Sequence, residues 1–404
     1  MKKRSLKMLL SVTMAVLLLC SMGLTAFAAE AEPEDSISMA SISIEKTNIG
    51  DSSVTNFNYA GMLAFKNYVE SASSGRIEVN LYPNATLGNQ QEIIQQCMQG
   101  VIEVGTASDS DLSNYYPNLQ LFTMPYIFSD RYEFYNFLDG EYVQAMNEEI
   151  ADTCGVRIIS AFDNGGFRNF SNNVRQIKTA EDVAGLNIRC MQSTAYIKTM
   201  EALGAVAQGI SFSELYSALQ TGVVDGQENA PLVMLDNSIY EQQKYYSLDG
   251  HIVSPCYFIV SESWYQSLPE DLQEIVIKGG KLAETAARGT IASSEGMALT
   301  FLAEQGVEIY SPTEEEKATF KVAQEPVAQW LREEIGTETV DGFLAAIEAS
   351  RTGEEAAYVG TSTEAAAGGA SAATGYIVAI VILALAVVVL AVKAFRKKPE
   401  EEKS

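Results

Sequence analysis

Helix-like and strand-like segments alternate along the body of this chain, residues 41–351, and this alternation limits the possible folds more than any other feature. Residues 56–71 carry apolar side chains at helical spacing, and Gly75 ends that helix. Residues 76–82 then alternate polar and apolar side chains, as a half-buried strand does. Strands that alternate with helices predict βαβ units, an α/β fold and a largely parallel sheet.

A faint internal repeat suggests two lobes of similar architecture. Helix 89–99, Gly100 and a short strand at 101–104 are echoed at 214–225, where a glycine again separates a helix-like segment from two apolar residues and an acid. A chain of 404 residues is also longer than one hydrophobic core usually serves. Residues 270–305 follow as one helix-like stretch, long enough to run across both lobes and brace them.

Charge and composition exclude several classes of function. The chain has 27 Lys and Arg against 52 Asp and Glu, a net charge of -25, so we expect no nucleic-acid partner, which would need a basic face. A single histidine, His251, argues against a histidine-ligated metal and against histidine-based catalysis. Cys97, Cys154, Cys190 and Cys256 form no Cys-x-x-Cys pair, which leaves three disulfide pairings or buried free thiols open.

The two ends of the chain predict export and a membrane anchor. Residues 1–28 have the basic start, apolar run and small-residue end of a secretory signal peptide. Residues 375–395 are long and apolar enough to cross a bilayer. The basic tail 396–404 marks the cytoplasmic side, so the body is expected on the extracytoplasmic face. Residues 352–374, rich in Gly, Ala, Ser and Thr, predict a flexible linker between body and anchor.

Several motifs of the body follow one another in a specific order and spacing. They include Gly-Gly-Phe-Arg at 165–168, Gly-Leu-Asn-Ile-Arg at 185–189, the segment 212–224 and Asp-Gly-Gln-Glu-Asn at 225–229. Together they resemble the solute-binding proteins of TRAP transporters, the DctP-type family, from about residue 43 to residue 346.

The resemblance implies a two-lobed periplasmic-binding-protein fold, of the Venus flytrap type, over residues 41–351. Such a protein closes on a small organic acid and delivers it to a permease made of a small and a large membrane subunit. It is not an enzyme, so the resemblance implies no catalytic residue, no cofactor and no metal.

The resemblance also implies which residues bind the ligand. Arg189 matches the family's carboxylate-binding arginine, and a guanidinium fork on a strand between apolar neighbours suits bidentate pairing with a carboxylate. Arg168 matches a second family arginine, and for both arginines a structural salt bridge is the alternative. Asn229 matches a ligand-facing amide and Phe212 an aromatic wall that is equally compatible with core packing. Two further pocket residues follow Arg189, namely Gln192 and Ser193.

Three positions depart from the family's pattern or qualify it. Ser108 aligns with a pocket position that is acidic in sialic-acid-binding relatives, so a simple mono- or dicarboxylate is expected rather than a glycerol-bearing sugar acid. Two arginines would suit a four-carbon dicarboxylate. Ala230 displaces the usual proline to Pro231, which puts the loop geometry there in question. His251 matches a histidine near the hinge, where we expect a core role with satisfied hydrogen bonds.

Two other classes of function stay open on composition alone. A membrane-anchored extracellular carbohydrate-active hydrolase could use a pair of the many carboxylates, although no Gly-x-Ser-x-Gly or His-Glu-x-x-His motif is present. A non-enzymatic surface binding or adhesion protein is the other. Neither would account for the TRAP-like motifs.

Overall fold

The computed structural model describes residues 33, 35–49, 52–353 and 356–360. The predicted signal peptide 1–28, transmembrane helix 375–395 and tail 396–404 lie outside the described residues. Within the described part, no helix combines the length and the hydropathy needed to cross a membrane.

Lobe 1 is built on a five-stranded sheet of order β4-β1-β5-β12-β6. Its strands are β1 (Asp35–Ala40), β4 (Ile77–Tyr82), β5 (Val104–Ser108), β6 (Val156–Asp163) and β12 (Pro255–Ser261), and a small hairpin, β2 (Lys46–Ile49) and β3 (Ser52–Thr55), lies beside it. The central strand β12 sends Tyr257 and Ile259 into one core and Cys256, Phe258 and Val260 into another. Both faces of this sheet are therefore covered, as expected for a buried α/β sheet.

Lobe 2 is built on a six-stranded sheet of order β13-β11-β7-β10-β8-β9. Its strands are β7 (Arg168–Asn172), β8 (Asn187–Cys190), β9 (Val206–Gly209), β10 (Gly226–Asn229), β11 (Tyr245–Ile252) and β13 (Glu308–Tyr310). Two further cores cover its faces. The predicted two-lobed α/β architecture is confirmed.

The sheets are mixed rather than largely parallel, and the exceptions mark where the chain changes lobe. β12 runs antiparallel to β5 and β6, and β7 runs antiparallel to β10 and β11. Each is the first strand that the chain forms after crossing from the other lobe. The crossings are residues 164–167 and 253–254, and the Asn164 amide donates to the Ser254 carbonyl at 3.0 Å.

Helices cover both sheets, and several of them begin at polar caps. Asn56 caps the first by accepting from the amides of Asn58 and Tyr59, and Asn89 and Glu92 form a capping box on the second. The helices are α1 (Phe57–Ala72), α2 (Gln90–Met98), α3 (Asp109–Leu112), α4 (Arg131–Leu138), α5 (Glu141–Cys154), α6 (Thr194–Ala202), α7 (Phe212–Gln220), α8 (Pro231–Asp236), α9 (Glu262–Ser267), α10 (Glu270–Glu304), α11 (Glu314–Glu334) and α12 (Thr337–Thr352).

Two of these helices tie the lobes together. The 35-residue helix α10 packs against α1 and β6 of lobe 1 and places Leu302 in a core of lobe 2, which confirms the predicted bracing helix. Helix α11 returns from lobe 2, where Phe320 is buried, to lobe 1, where Val327 and Leu331 are buried. Helix α12 then packs on lobe 1 through Phe343.

Two strands lie later in the chain than the sequence predicts. The strand predicted at 101–104 is β5, Val104–Ser108, and the one predicted at 223–225 is β10, Gly226–Asn229. The first is composed of small residues because α2 packs closely on it: a Cβ on Gly105 would lie 2.6 Å from the Ile93 side chain. The second is polar yet wholly buried, so hydropathy gives no sign of it.

The start of the predicted linker is also ordered. Thr352 is the last residue of α12, and Ala356 and Tyr358 pack against the core of lobe 1. The Tyr358 hydroxyl bonds to Tyr116 and to Glu149. The rest of the predicted linker, from residue 361, lies outside the described residues. Cys97, Cys154, Cys190 and Cys256 are buried free thiols, the second of the two states that the sequence leaves open.

A candidate ligand-binding cleft between the lobes

A cleft of about 850 Å³, its open mouth included, lies where the two sheets face each other. It forms at the carboxyl ends of parallel strands from both lobes, the usual position of ligand sites in α/β sheets. Ile42 and Ser43 follow β1, Gln192 follows β8, and Asn229 ends β10. Lobe 1 also contributes five amide side chains, and the crossing at 164–167 contributes a sixth: Asn56, Asn58, Asn89, Gln90 and Gln91, and Asn164.

Arg189 lies on the wall of this cleft. Ile188 and Cys190 beside it on β8 point into a core of lobe 2, so strand alternation turns the arginine to the other face. Its Nε donates to the Ile210 carbonyl at 2.9 Å, and its buried Nη1 has no hydrogen-bond partner among the described residues. Burial, with Arg168 adding to it and Glu228 opposing, lowers the pKa of Arg189 to about 10, so it is still charged at neutral pH.

Arg168 also borders the cleft, but its charge is already paired. It is 1% exposed, and its Nη2 donates to Glu228 Oε1 at 2.9 Å and to the Glu228 carbonyl at 2.7 Å. Its Nε donates to Glu228 Oε2, and Nη1 lacks a partner within the described part of the chain. Arg168 therefore makes the structural salt bridge that the sequence leaves open as an alternative.

His251 extends this pair into a buried chain of four charged groups. Its Nδ1 lies 2.7 Å from Asp249 Oδ2, its Nε2 lies 3.4 Å from Glu228 Oε2, and the Phe170 ring stacks on it at 4.5 Å. Burial alone would lower the pKa of His251, but the Asp249 and Glu228 carboxylates raise it to about 9. Burial would raise the pKa of Glu228, but Arg168 and His251 lower it to about 2. We call Arg168, Glu228, His251 and Asp249 the buried charge chain.

This arrangement predicts that the protein loses stability as the pH rises from 6.5 to 9. Folded His251 holds its proton more tightly than the unfolded chain does, so its stabilisation is complete below about pH 6.5 and disappears as the pH passes through about 9. The measurement is the thermal midpoint of unfolding between pH 5 and 9. His251→Gln should lower the midpoint at pH 6 and flatten its decline above pH 6.5, whereas an unchanged decline would contradict the assignment.

Some of the other predicted site residues line the cleft, and the others cap the N-termini of helices. Phe212 lines the cleft, and its ring centroid lies 5.8 Å from the Arg189 guanidinium. Gln192 and Asn229 line it too, and the Asn229 amide donates to Gln227 Oε1 at 2.6 Å. Ser108 and Ser193 are buried helix N-caps outside the described lining of the cleft. Pro231 occupies the first turn of α8, where its missing N–H costs nothing.

Two acidic side chains of the cleft escaped the sequence analysis. Asp111, on α3, accepts from Ser108 Oγ at 2.7 Å, and its backbone amide donates to the same oxygen at 3.1 Å. A Ser-x-x-Asp capping pattern at 108–111 is the signal that could have located it. Asp236, the last residue of α8, accepts from Thr47 and Asn56 of lobe 1. This second contact joins residues far apart in sequence, so no local pattern marks it.

The two lobes also meet at Asp109. Its Oδ2 accepts from the Tyr196 hydroxyl of lobe 2 at 3.3 Å, and its Oδ1 has no partner among the described residues. Burial raises the pKa of Asp109 to about 7, with Arg168 and Tyr196 opposing, and burial raises that of Asp236 to about 6. The Asp109 contact joins lobe 1 to lobe 2, whereas the helix that carries Asp236 places Leu232 and Leu235 in a core of lobe 1.

A family of proteins and several individual proteins are similar to this chain in sequence. The family model for bacterial extracellular solute-binding protein, family 7 (DctP), matches residues 51–334. The C4-dicarboxylate-binding periplasmic protein DctP of Rhodobacter capsulatus is 30% identical over 291 residues, which cover 71% of this chain and 86% of that protein.

Solved structures agree in fold. A TRAP periplasmic solute-binding protein from Sulfitobacter sp. with bound β-D-galacturonate has 27% identity and a TM-score of 0.71, covering 77% of this chain and 98% of that one. One from Anaerococcus prevotii with bound D-glucuronate has 27% identity and a TM-score of 0.72, covering 80% of this chain and 100% of that one.

Proposed function

Because the chain belongs to family 7 of the bacterial extracellular solute-binding proteins, the DctP family, we propose that its cleft captures a small organic acid for a TRAP-type transporter. The family is one of binding proteins rather than enzymes. One observation carries the proposal most directly: Arg189 presents a buried guanidinium with an unpartnered Nη1 on the cleft wall. An unpaired buried donor is costly, and a ligand carboxylate would satisfy it.

The surroundings of Arg189 support the same reading. Arg168 is neutralised by Glu228, so Arg189 supplies the positive charge that an anionic ligand needs within the cleft. Phe212 covers one side of the guanidinium and limits the access of water, which strengthens a charged hydrogen bond. Asn229 and Gln192, on neighbouring strand ends, supply amides for the remaining oxygens of the ligand.

Binding is proposed to couple to closure of the lobes. The chain crosses between them at 164–167 and 253–254, and Gly166, with φ of 119°, has a conformation that favours glycine. A Cβ there would lie 2.7 Å from a Glu295 oxygen. Rotation about these crossings would separate Asp109 of lobe 1 from Tyr196 of lobe 2 and open the cleft to solvent.

The cellular setting follows from the family and from the ends of the sequence. We propose that the protein stands on the extracytoplasmic face of the membrane, anchored by residues 375–395, and passes its ligand to the small and large subunits of a TRAP permease. Open and closed lobes present different surfaces, so the permease could distinguish loaded from empty protein.

A thermal-shift screen over organic acids, neutral sugars and amino acids tests the proposal. At a concentration 100 times the Kd, a ligand stabilises the folded protein by about 2.7 kcal/mol. For a folded body of about 300 residues, that corresponds to an increase of roughly 4 °C in the thermal midpoint. We expect such a shift with one or more carboxylic acids. Shifts with neutral sugars alone would contradict the proposed function.

A further inference from the structure

Some charged side chains of the cleft wall are already bonded to other residues of the protein, and others are not. Among the described residues that line the cleft, the charged side chains are Arg168, Arg189, Asp111 and Asp236. Arg168 is paired with Glu228, and Asp236 accepts from Thr47 with one oxygen and from Asn56 with the other. Among these four, Arg189 and Asp111 are therefore the charged groups without a salt bridge to a described residue and without both ends of the side chain committed, and Arg168 keeps only its Nη1 unpartnered there.

Asp111 is held in a fixed orientation. The Ser108 hydroxyl accepts from the Asp111 backbone amide at 3.1 Å and donates to its Oδ2 at 2.7 Å, so the hydroxyl hydrogen is committed. Burial raises the pKa of Asp111, and the Ser108 hydrogen bond and the charge of Arg189 oppose that rise. The carboxylate is thus positioned as an acceptor on the lobe 1 side, opposite a cation on the lobe 2 side.

A carboxylate in this place favours a ligand that donates hydrogen bonds. A ligand carboxylate bound by Arg189 leaves the remainder of the ligand facing Asp111 and the five lobe 1 amides. Ligand hydroxyls can donate to the carboxylate and can both donate to and accept from amides. A second ligand carboxylate in the same place would meet Asp111 as a like charge in a partly desolvated cleft.

We propose that Asp111 makes the cleft selective for hydroxylated monocarboxylates, the class of sugar acids, over four-carbon dicarboxylates. This inference rests on the proposed function, because it needs the ligand carboxylate on Arg189. It also changes the sequence-based expectation, in which a second free arginine suited a dicarboxylate: Arg168 is paired with Glu228, and an acid takes the opposite side of the cleft.

The test is calorimetric titration of wild type and Asp111→Asn with two panels of acids. One panel is D-gluconate, D-glucuronate and D-galacturonate, and the other is succinate and fumarate. We expect the wild type to bind at least one sugar acid at least tenfold more tightly than either dicarboxylate. Asp111→Asn removes the like charge and weakens the acceptor, so it should reduce that ratio at least tenfold. Asp152→Asn, an exposed change on α5, is the control for net charge.

The outcomes separate the two proposals. Binding of succinate as tightly as the sugar acids, or a ratio unchanged in Asp111→Asn, would overturn the selectivity and leave the proposed function standing. Binding of neither panel to the wild type, with no other acid found in the thermal-shift screen, would overturn both. If Asp111→Asn unfolds, Asp111→Ser, which is smaller and keeps a hydroxyl, replaces it in the same titrations.

Discussion

Arg189→Ala is expected to weaken binding of the acid found in the thermal-shift screen at least 100-fold. Truncating one partner of a buried, hydrogen-bonded charge pair typically costs about 2 to 5 kcal/mol, and about 3 kcal/mol corresponds to roughly 100-fold in Kd. Arg189 is 2% exposed, so water cannot replace the lost guanidinium cheaply. Titration calorimetry on the wild type and the variant measures the effect.

Three controls make the Arg189 result specific. Arg189→Lys retains the charge without the planar fork, so it should recover only part of the affinity. Arg332→Ala removes an equal charge from the surface of α11 and should leave the Kd unchanged. The thermal midpoint without ligand should not fall in Arg189→Ala, because burial already disfavours this charge. Binding by Arg189→Ala within threefold of wild type would show that another group holds the carboxylate.

Glu228→Gln is expected to destabilise the protein by about 3 to 5 kcal/mol, the usual cost of removing one partner from a buried ion pair. Glu228 is 0% exposed and lies between the Arg168 guanidinium and the His251 ring. With glutamine at position 228, Arg168 keeps its charge but loses the carboxylate that offsets the desolvation cost of burying it. Urea unfolding at pH 7, monitored by circular dichroism, gives the free energy of unfolding.

Comparison variants separate the ion pair from loss of charge in general. Glu201→Gln breaks an exposed pair with Lys198 and should change stability by less than about 1 kcal/mol. The double variant Arg168→Met with Glu228→Leu removes both charges and should regain part of the loss, since apolar residues often replace a buried pair without penalty. A Glu228→Gln protein as stable as wild type would contradict the role assigned to the buried charge chain.

The sequence predicts the two-lobed fold, the long helix α10 and the strand position of Arg189 because each has a local signature. Helical spacing marks α1 and α10, and apolar neighbours mark β8. The pairing of Arg168 with Glu228 could not be predicted in the same way. It joins β7 to β10, strands separated by 60 residues, and many acids could have been the partner.

The polar strand β10 shows a second limit of local patterns. The sequence favours a turn or hinge at Asp225, Gly226 and Gln227, yet Gly226–Asn229 is a buried strand. Its backbone pairs with β7, the Gln227 amide donates to Ser171 Oγ, and the Asn229 amide donates to Gln227 Oε1. Gly226 lies so near β7 that a Cβ would be 2.1 Å from the Ser171 carbonyl. Long-range partners, rather than hydropathy, decide the structure at the site.

The order of strands in lobe 1 has a consequence for biosynthesis. β12 separates β5 from β6, yet the ribosome adds it only after every residue of β7 through β11. Until then the edges of β5 and β6 have no partner, and unpaired edges invite aggregation. The nascent chain must therefore carry an unfinished sheet while an entire second sheet is being made. A chaperone that holds the nascent chain would protect these edges most while the ribosome is between residue 163 and residue 261.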